Sequence, residues 1–357
     1  MHSSSISKKQ FIIPNLIFYI STLLIISKKY SSLFDYPEIT KSLLAANILI
    51  LFTGLFFQSL KKIEIALLIA SSITYITTLN PEFIILVLYL LNSKKISKEK
   101  YINLIFIISF LYFLAIVLLN HLNILPSQDI HYRLIDNIKE NRDDLGFKNP
   151  NSVFLYFTPI ALCYIYKRFE RWNYIDTMLY IAVIYIIYSI SLSRTGLAVN
   201  SISLISIYLI KLIPNAMSLL TKNSILIFSF ITLIIAVYFY DDYILNYALS
   251  NRPYIWNSYL SNELSFQSVI GQPLEDKENL LPLDNSYIPL LIYHGFFYIV
   301  FIFYLYLTGL NKKKIEPQVF ILSFYILCYS LFENVLFNLE FNITLVLLYL
   351  SIRNNKK

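Results

Sequence analysis

Four short polar motifs interrupt an otherwise apolar chain, and each carries a residue that could do chemistry. Arg142-Asp-Asp-Leu-Gly-Phe-Lys-Asn-Pro-Asn151 sets an Arg and two acids beside a Gly and an Asn-Pro turn that leads into a helix near Asn151. Ser191-Leu-Ser-Arg-Thr-Gly196 wedges Arg194 between two apolar runs with almost no room for a loop. An Arg at that depth is costly unless it meets an anion, lines a wet cavity or snorkels to lipid phosphates. Asn251-Arg-Pro-Tyr-Ile-Trp256 puts Arg252 next to aromatic rings, which fits sugar stacking and interfacial anchoring equally. Leu283-Asp-Asn-Ser-Tyr287 leads into a helix that carries His294-Gly295, with Asp284 either a helix cap or a titratable group at a site. Guanidinium forks hold phosphate oxygens in pairs and stay charged, so Arg142, Arg194 and Arg252 together invite a phosphate-bearing anion. Asp143-Asp144 and Asp241-Asp242 come without further ligands, so neither a metal nor a cofactor is expected.

The elements that must position these motifs are membrane helices. Of 357 residues, 57% are hydrophobic and only 14% are charged, too apolar for one soluble core and too long for a single anchor. Apolar runs fall at 11–27, 42–60, 63–79, 82–92, 101–121, 151–168, 175–192, 195–213, 224–240, 286–310, 318–332 and 338–352. The expectation is an all-α polytopic protein of about twelve spans, or ten if the short pair around Asn80-Pro81 does not cross. With no repeat or linker that would set off a soluble part, residues 1–357 read as a single membrane domain. Cys163 and Cys328 lie alone in apolar stretches and read as packing residues.

The net charge of +7 is explained by topology and does not call for nucleic acid. With the N-terminus cytoplasmic, Lys8-Lys9, Lys61-Lys62, Lys94-Lys95, Lys167-Arg168, Lys312-Lys313-Lys314 and Lys356-Lys357 all fall on the inner side, whereas most acids fall on the outer side. Both termini are then cytoplasmic, and two long connections, about 122–150 and 241–285, face outward. Long connections are where chemistry tends to sit.

Taken in order, Gly146-Phe147 with Asn149-Pro-Asn151, Ser193-Arg194-Thr-Gly196, Arg252 with Trp256, and Asp284-Asn285-Ser-Tyr287 before Gly295 resemble the bacterial O-antigen and capsule polymerases (Wzy type). These belong to the larger superfamily that includes the O-antigen ligases. The resemblance runs from about residue 140 to 300. It implies a metal-independent glycosyltransferase in the bacterial cytoplasmic membrane. At the outer face, the enzyme would transfer a growing undecaprenyl-pyrophosphate-linked glycan onto a new lipid-linked repeat unit. Its partners would be that lipid-linked oligosaccharide, the bilayer, and the chain-length regulator and flippase of the same pathway.

By that resemblance Arg194 and Arg252 hold the donor pyrophosphate, and Asp284 orients or deprotonates the acceptor hydroxyl, with Asp144 and His294 as alternatives. Arg142, Asn151, Ser193, Trp256, Asn285, Tyr287 and His294 would contact substrate, Arg142 at the second pyrophosphate. Ligases commonly carry His where this chain has Asp284, which favours the polymerase over a ligase. A flippase or transporter of the same lipid-linked oligosaccharide is the remaining alternative, and it would place its polar motifs nearer the bilayer midplane.

Overall fold

A computed structural model describes residues 3–125, 131–135, 138–273, 283–312 and 315–354. Parts of both expected loops (126–130, 136–137 and 274–282) lie outside the described residues, as do Lys313, Lys314, Lys356 and Lys357 of the basic runs. Along the chain run α1 (Ser3–Ser31), α2 (Pro37–Leu55), α3 (Lys62–Thr78), α4 (Glu82–Asn92) and α5 (Lys98–His121). A hairpin of β1 (His131–Ile135) and β2 (Ile138–Arg142) follows, then α6 (Pro150–Arg168), α7 (Tyr174–Ser191), α8 (Arg194–Leu212) and α9 (Pro214–Tyr238). The remainder comprises α10 (Tyr243–Ala248), α11 (Arg252–Glu263), α12 (Gln267–Ile270), α13 (Tyr287–Ile292), α14 (Gly295–Leu310), α15 (Pro317–Tyr329) and α16 (Thr344–Asn354).

Every expected apolar run recurs as a helix, because in lipid or in a core a backbone must satisfy its own hydrogen bonds. Six segments are long and apolar enough to cross a membrane: Ile13–Phe34, α2, α5, α7, α8 and α9. α14, α15 and α16 are apolar but shorter. Three expectations change. The 286–310 run is not one helix but breaks at Tyr293-His294. The second outer connection is not open loop, since α10, α11 and α12 occupy much of it. The first holds the antiparallel hairpin, pairing His131 with Arg142 and Ile135 with Ile138.

The chain packs as two compact units that interleave in sequence. One joins Met1–Phe57 to Lys95–Ile213, and the other joins Gln58–Lys94 to Pro214–Lys357. In the first, α1 packs on α2 and α5, and α6 packs on α5, α7 and α8. Tyr30 stacks on Tyr112 and meets the edge of Tyr156, each at 4.8 Å between ring centres. Phe147 adds its ring to that of Tyr156 at 4.9 Å. α6 and α8 approach so closely that a Cβ on Gly196 would lie 2.2 Å from the Phe154 ring. Cys163 is buried here, and Cys328 is buried in the second unit; both are free thiols.

In the second unit α4 is buried from Phe83 to Asn92, as expected of a helix that is apolar all round. It packs on α3 and α16, and its Phe83 ring meets those of Tyr298 and Phe301 of α14. Between α15 and α16 residues 330–343 are largely non-helical yet mostly buried. Irregular backbone is tolerable at such depth only where other groups satisfy it. Tyr306, Asn342 and Thr344 contribute to this through a buried hydroxyl-amide network, with Tyr306 Oη 2.8 Å from Thr344 Oγ1 and 3.0 Å from Asn342 Nδ2.

Candidate functional site

α11 begins abruptly. Ser250 and Asn251 both take left-handed backbone angles (φ 56 and 61), which turn the chain sharply out of α10 and put Arg252 at the first helical position, ahead of Pro253. Arg252, Trp256 and Tyr259 then share one buried face at helical spacing. Trp256 is 2% exposed and packs with Ala236, Tyr259, Ile288, Ile292 and Tyr293. Its ring faces are therefore core, and the sugar-stacking reading of Trp256 has no open surface to act on.

One turn N-terminal to Trp256, Arg252 is only 8% exposed. Its Nη2 lies 3.5 Å from Asp284 Oδ2 and 3.9 Å from Glu333 Oε1. Both contacts are long for hydrogen bonds, and among the described residues the buried Nε has no hydrogen-bond partner. A guanidinium carries five donors, so this one reaches the cluster with capacity to spare. Burial pushes the Glu333 carboxyl up to about 8, aided by the nearby Asp284 carboxylate and opposed by Arg252. Burial likewise raises Asp284, against the pull of Arg252. At neutral pH the cluster thus holds a cation, a carboxylate and a carboxylic acid, which between them can bind an anion and exchange a proton.

Glu333 escaped the sequence reading. Its partners Arg252 and Asp284 are distant in sequence, and the available signal was an acid in an otherwise apolar stretch. What brings it to the site is the remainder of the Asp-Asn-Ser-Tyr motif. Ser286 Oγ donates to the Glu333 carbonyl at 2.8 Å and accepts from the Val335 and Leu336 amides at 2.9 and 3.1 Å. The Ser286 amide donates to the Ser330 carbonyl at 2.9 Å. Asn285 Nδ2 donates to the Leu331 carbonyl at 2.9 Å, while its Oδ1 accepts from the Tyr287 and Ile288 amides and opens α13. Tyr287 Oη donates to the Leu327 carbonyl at 2.9 Å. Asn285 and Tyr287, expected to touch substrate, instead form with Ser286 a latch that fixes the irregular segment after α15. Asp284 is the member of the motif left facing Arg252, its side chain 46% exposed.

His294 sits elsewhere in the same unit, edge-on to Phe337 at 4.2 Å and to Tyr298 at 4.9 Å, with Nε2 3.7 Å from Glu82 Oε2. Buried among these rings, it serves as a packing group. Gly295 explains the helix break there. Its φ is +76, and a Cβ would lie 2.4 Å from the Ile270 carbonyl oxygen, so only glycine lets the two backbones cross.

The other predicted residues belong to the first unit. Arg142 Nε donates to the Ser191 carbonyl at 3.0 Å and Nη2 donates to Asn151 Oδ1 at 2.8 Å. It thereby ties the end of β2 to the last turn of α7 and the first of α6, so Arg142 and Asn151 are engaged with each other. Asn149 caps α6 by accepting from the Asn151 amide, with Pro150 at the next position. Asp144 is buried and accepts from the Gly146 amide at 2.8 Å, forming a turn. Ser193 caps α8 through the Gly196 amide. Arg194 is exposed, and no hydrogen bond or ion pair joins it to another described residue. A cation in the first turn opposes the helix dipole, so local stability is no reason for Arg194 to be there.

Asp242 caps α10 by accepting from the Leu245 amide at 2.8 Å. Among the described residues no group of three or more His, Cys, Asp or Glu side chains is placed to hold a metal ion. No family model, curated protein or solved structure matches this chain.

Proposed function

We propose that the chain is a polysaccharide polymerase. In this reading it transfers a growing undecaprenyl-pyrophosphate-linked glycan onto a new lipid-linked repeat unit at the outer face of the bacterial cytoplasmic membrane. The observation that carries the reading is the buried Arg252 guanidinium, with a donor to spare and two carboxyl groups within 4.0 Å, in a chain rich in membrane-type helices. The acceptor hydroxyl attacks the anomeric carbon of the donor glycan as the bond from that carbon to the pyrophosphate oxygen breaks. The electron pair leaves with the pyrophosphate, whose charge Arg252 stabilises, and the hydroxyl proton passes to the Asp284 carboxylate. The resemblance to the Wzy-type polymerases assigns a further basic contact to Arg194, whose exposed guanidinium suits it. The same reading carries ten to twelve spans with both termini cytoplasmic, and a chain-length regulator and flippase as pathway partners.

A transporter of the same lipid-linked oligosaccharide is the second reading. It is favoured by the buried non-helical stretch 330–343 between two short apolar helices, the kind of broken helix that builds transporter sites. Deleting the gene and resolving the surface glycan on a gel separates the readings. Collapse of the ladder to one repeat unit is the expected result. Long chains that accumulate unlinked would indicate a ligase, and loss of all surface glycan would indicate the transporter. In complemented cells Arg252→Lys and Asp284→Asn are expected to shorten the ladder at normal protein level, and full-length ladders from both would refute the assignment of this site.

A further inference from the structure

Charge counting limits what the Arg252 cluster can bind. With both carboxyl groups ionised its net charge is −1, and an incoming phosphate would meet more repulsion than attraction. With one proton bound the net charge is zero, the guanidinium is free to pair with the ligand, and the protonated carboxyl becomes a donor itself. Geometry selects which carboxyl holds that proton. The Asp284 side chain is 46% exposed and can shed its charge penalty into water, whereas that of Glu333 is 11% exposed. The Glu333 main chain is also held in place, its carbonyl accepting from Ser286 Oγ and the Val335 and Leu336 amides donating to the same hydroxyl oxygen.

We infer that Arg252, Asp284 and Glu333 form a proton-coupled site for a phosphate-bearing anion, occupied only when Glu333 carries a proton. The groups that face Glu333 are Arg252 from α11, Asp284 from the approach to α13 and Tyr329 from the end of α15. Burial and the Asp284 charge outweigh the pull of Arg252, which puts the Glu333 titration near 8, within reach of the working pH. The anion pairs with Nε and the unused face of the guanidinium, and with the Glu333 hydroxyl. This inference rests on the proposed function only for the identity of the anion, a pyrophosphate.

Titration calorimetry on the full chain in detergent, with inorganic pyrophosphate as probe, tests it without turnover. Relative to Glu333→Gln, wild-type affinity is expected to fall roughly tenfold for each pH unit above about 8. The ligand's own titration is common to both proteins and cancels in that comparison. Two buffers of different ionisation enthalpy are expected to report uptake of about one more proton by wild type than by Glu333→Gln at about pH 8.5. Glu333→Gln, which mimics the protonated acid, should bind at every pH, and Arg252→Lys should weaken binding at least about tenfold. Superimposable pH profiles for wild type and Glu333→Gln would overturn the inference, as would loss of binding in a Glu333→Gln protein that melts normally. If Arg252→Lys does not fold, the Glu333→Gln comparison decides alone.

Undecaprenyl pyrophosphate in the same micelles distinguishes a lipid-borne headgroup from the free anion: tighter binding of the lipid, or equal binding of both, supports the site, and binding of neither refutes it. Proton-linked binding in a protein that forms no polymer would leave this inference standing and remove the proposed function. Polymer formation with pH-independent binding would do the reverse.

Discussion

Replacing Ser286 by alanine removes one oxygen and three hydrogen bonds to backbone groups at once. The Glu333 carbonyl and the Val335 amide keep only their mutual bond of 3.0 Å, and the Leu336 amide loses its acceptor, all in a fully buried setting. Each lost bond costs about 1 kcal/mol net, and more when the stranded group stays dry, so the expected destabilisation is about 3 kcal/mol. That is roughly a hundredfold in the folding equilibrium. Ser330→Ala is the matched control. Ser330 is equally buried, but its hydroxyl donates only to the Ile326 carbonyl of its own helix at 2.7 Å, which already accepts the Ser330 amide. Its loss should cost no more than about 1 kcal/mol. Unfolding in mixed micelles by added denaturing detergent, followed by Trp fluorescence, reads both variants, and Trp256 reports from the same unit. Ser286→Ala is also expected to lose the anion affinity of the Arg252 cluster, because the segment that carries Glu333 is released. Equal unfolding midpoints for the two alanine variants would refute the latch, and with it the account of how Glu333 is positioned.

Gly196→Ala should lower the melting temperature markedly, since its Cβ would fall 2.2 Å from the Phe154 ring; Phe154→Leu in the same chain should not restore it, because leucine keeps a Cγ at the same 2.2 Å. Arg194→Ala should leave the melting temperature unchanged, because the side chain is exposed and without described partners, while shortening the glycan ladder if the proposed function holds. The Glu333 carboxyl titrates higher in the folded chain than in the unfolded one. Between about pH 4.5 and 8 the folded state therefore binds the extra proton, and wild-type stability should fall as pH rises through that window. Glu333→Gln should flatten that fall, as measured by denaturant midpoints across pH, and an unchanged slope would contradict the burial of this charge.

What the sequence determined by itself was local or compositional. Twelve apolar runs read as helices, and each contains helix, the 286–310 run in two pieces. Asn149-Pro150 read correctly as a helix start, because a cap needs only the next three residues, whereas Ser193, expected at substrate, caps α8. The helices between residues 243 and 270 were missed because hydropathy finds only apolar helices, and α11 buries a polar-flanked face built around Arg252 and Trp256. The polar motifs were equally visible as a sequence, but which of their members serve chemistry was not. Arg142 and Asn151 bond each other, Asn285 and Tyr287 bond backbone carbonyls of the segment at the end of α15, and the Trp256 ring packs on apolar neighbours. Only the tertiary structure set Glu333 opposite Arg252 and Asp284. That juxtaposition depends on hydrogen bonds from Ser286 to a segment far along the chain, and on the removal of water that makes a carboxyl keep its proton; neither quantity is a property of any residue's own neighbours in sequence.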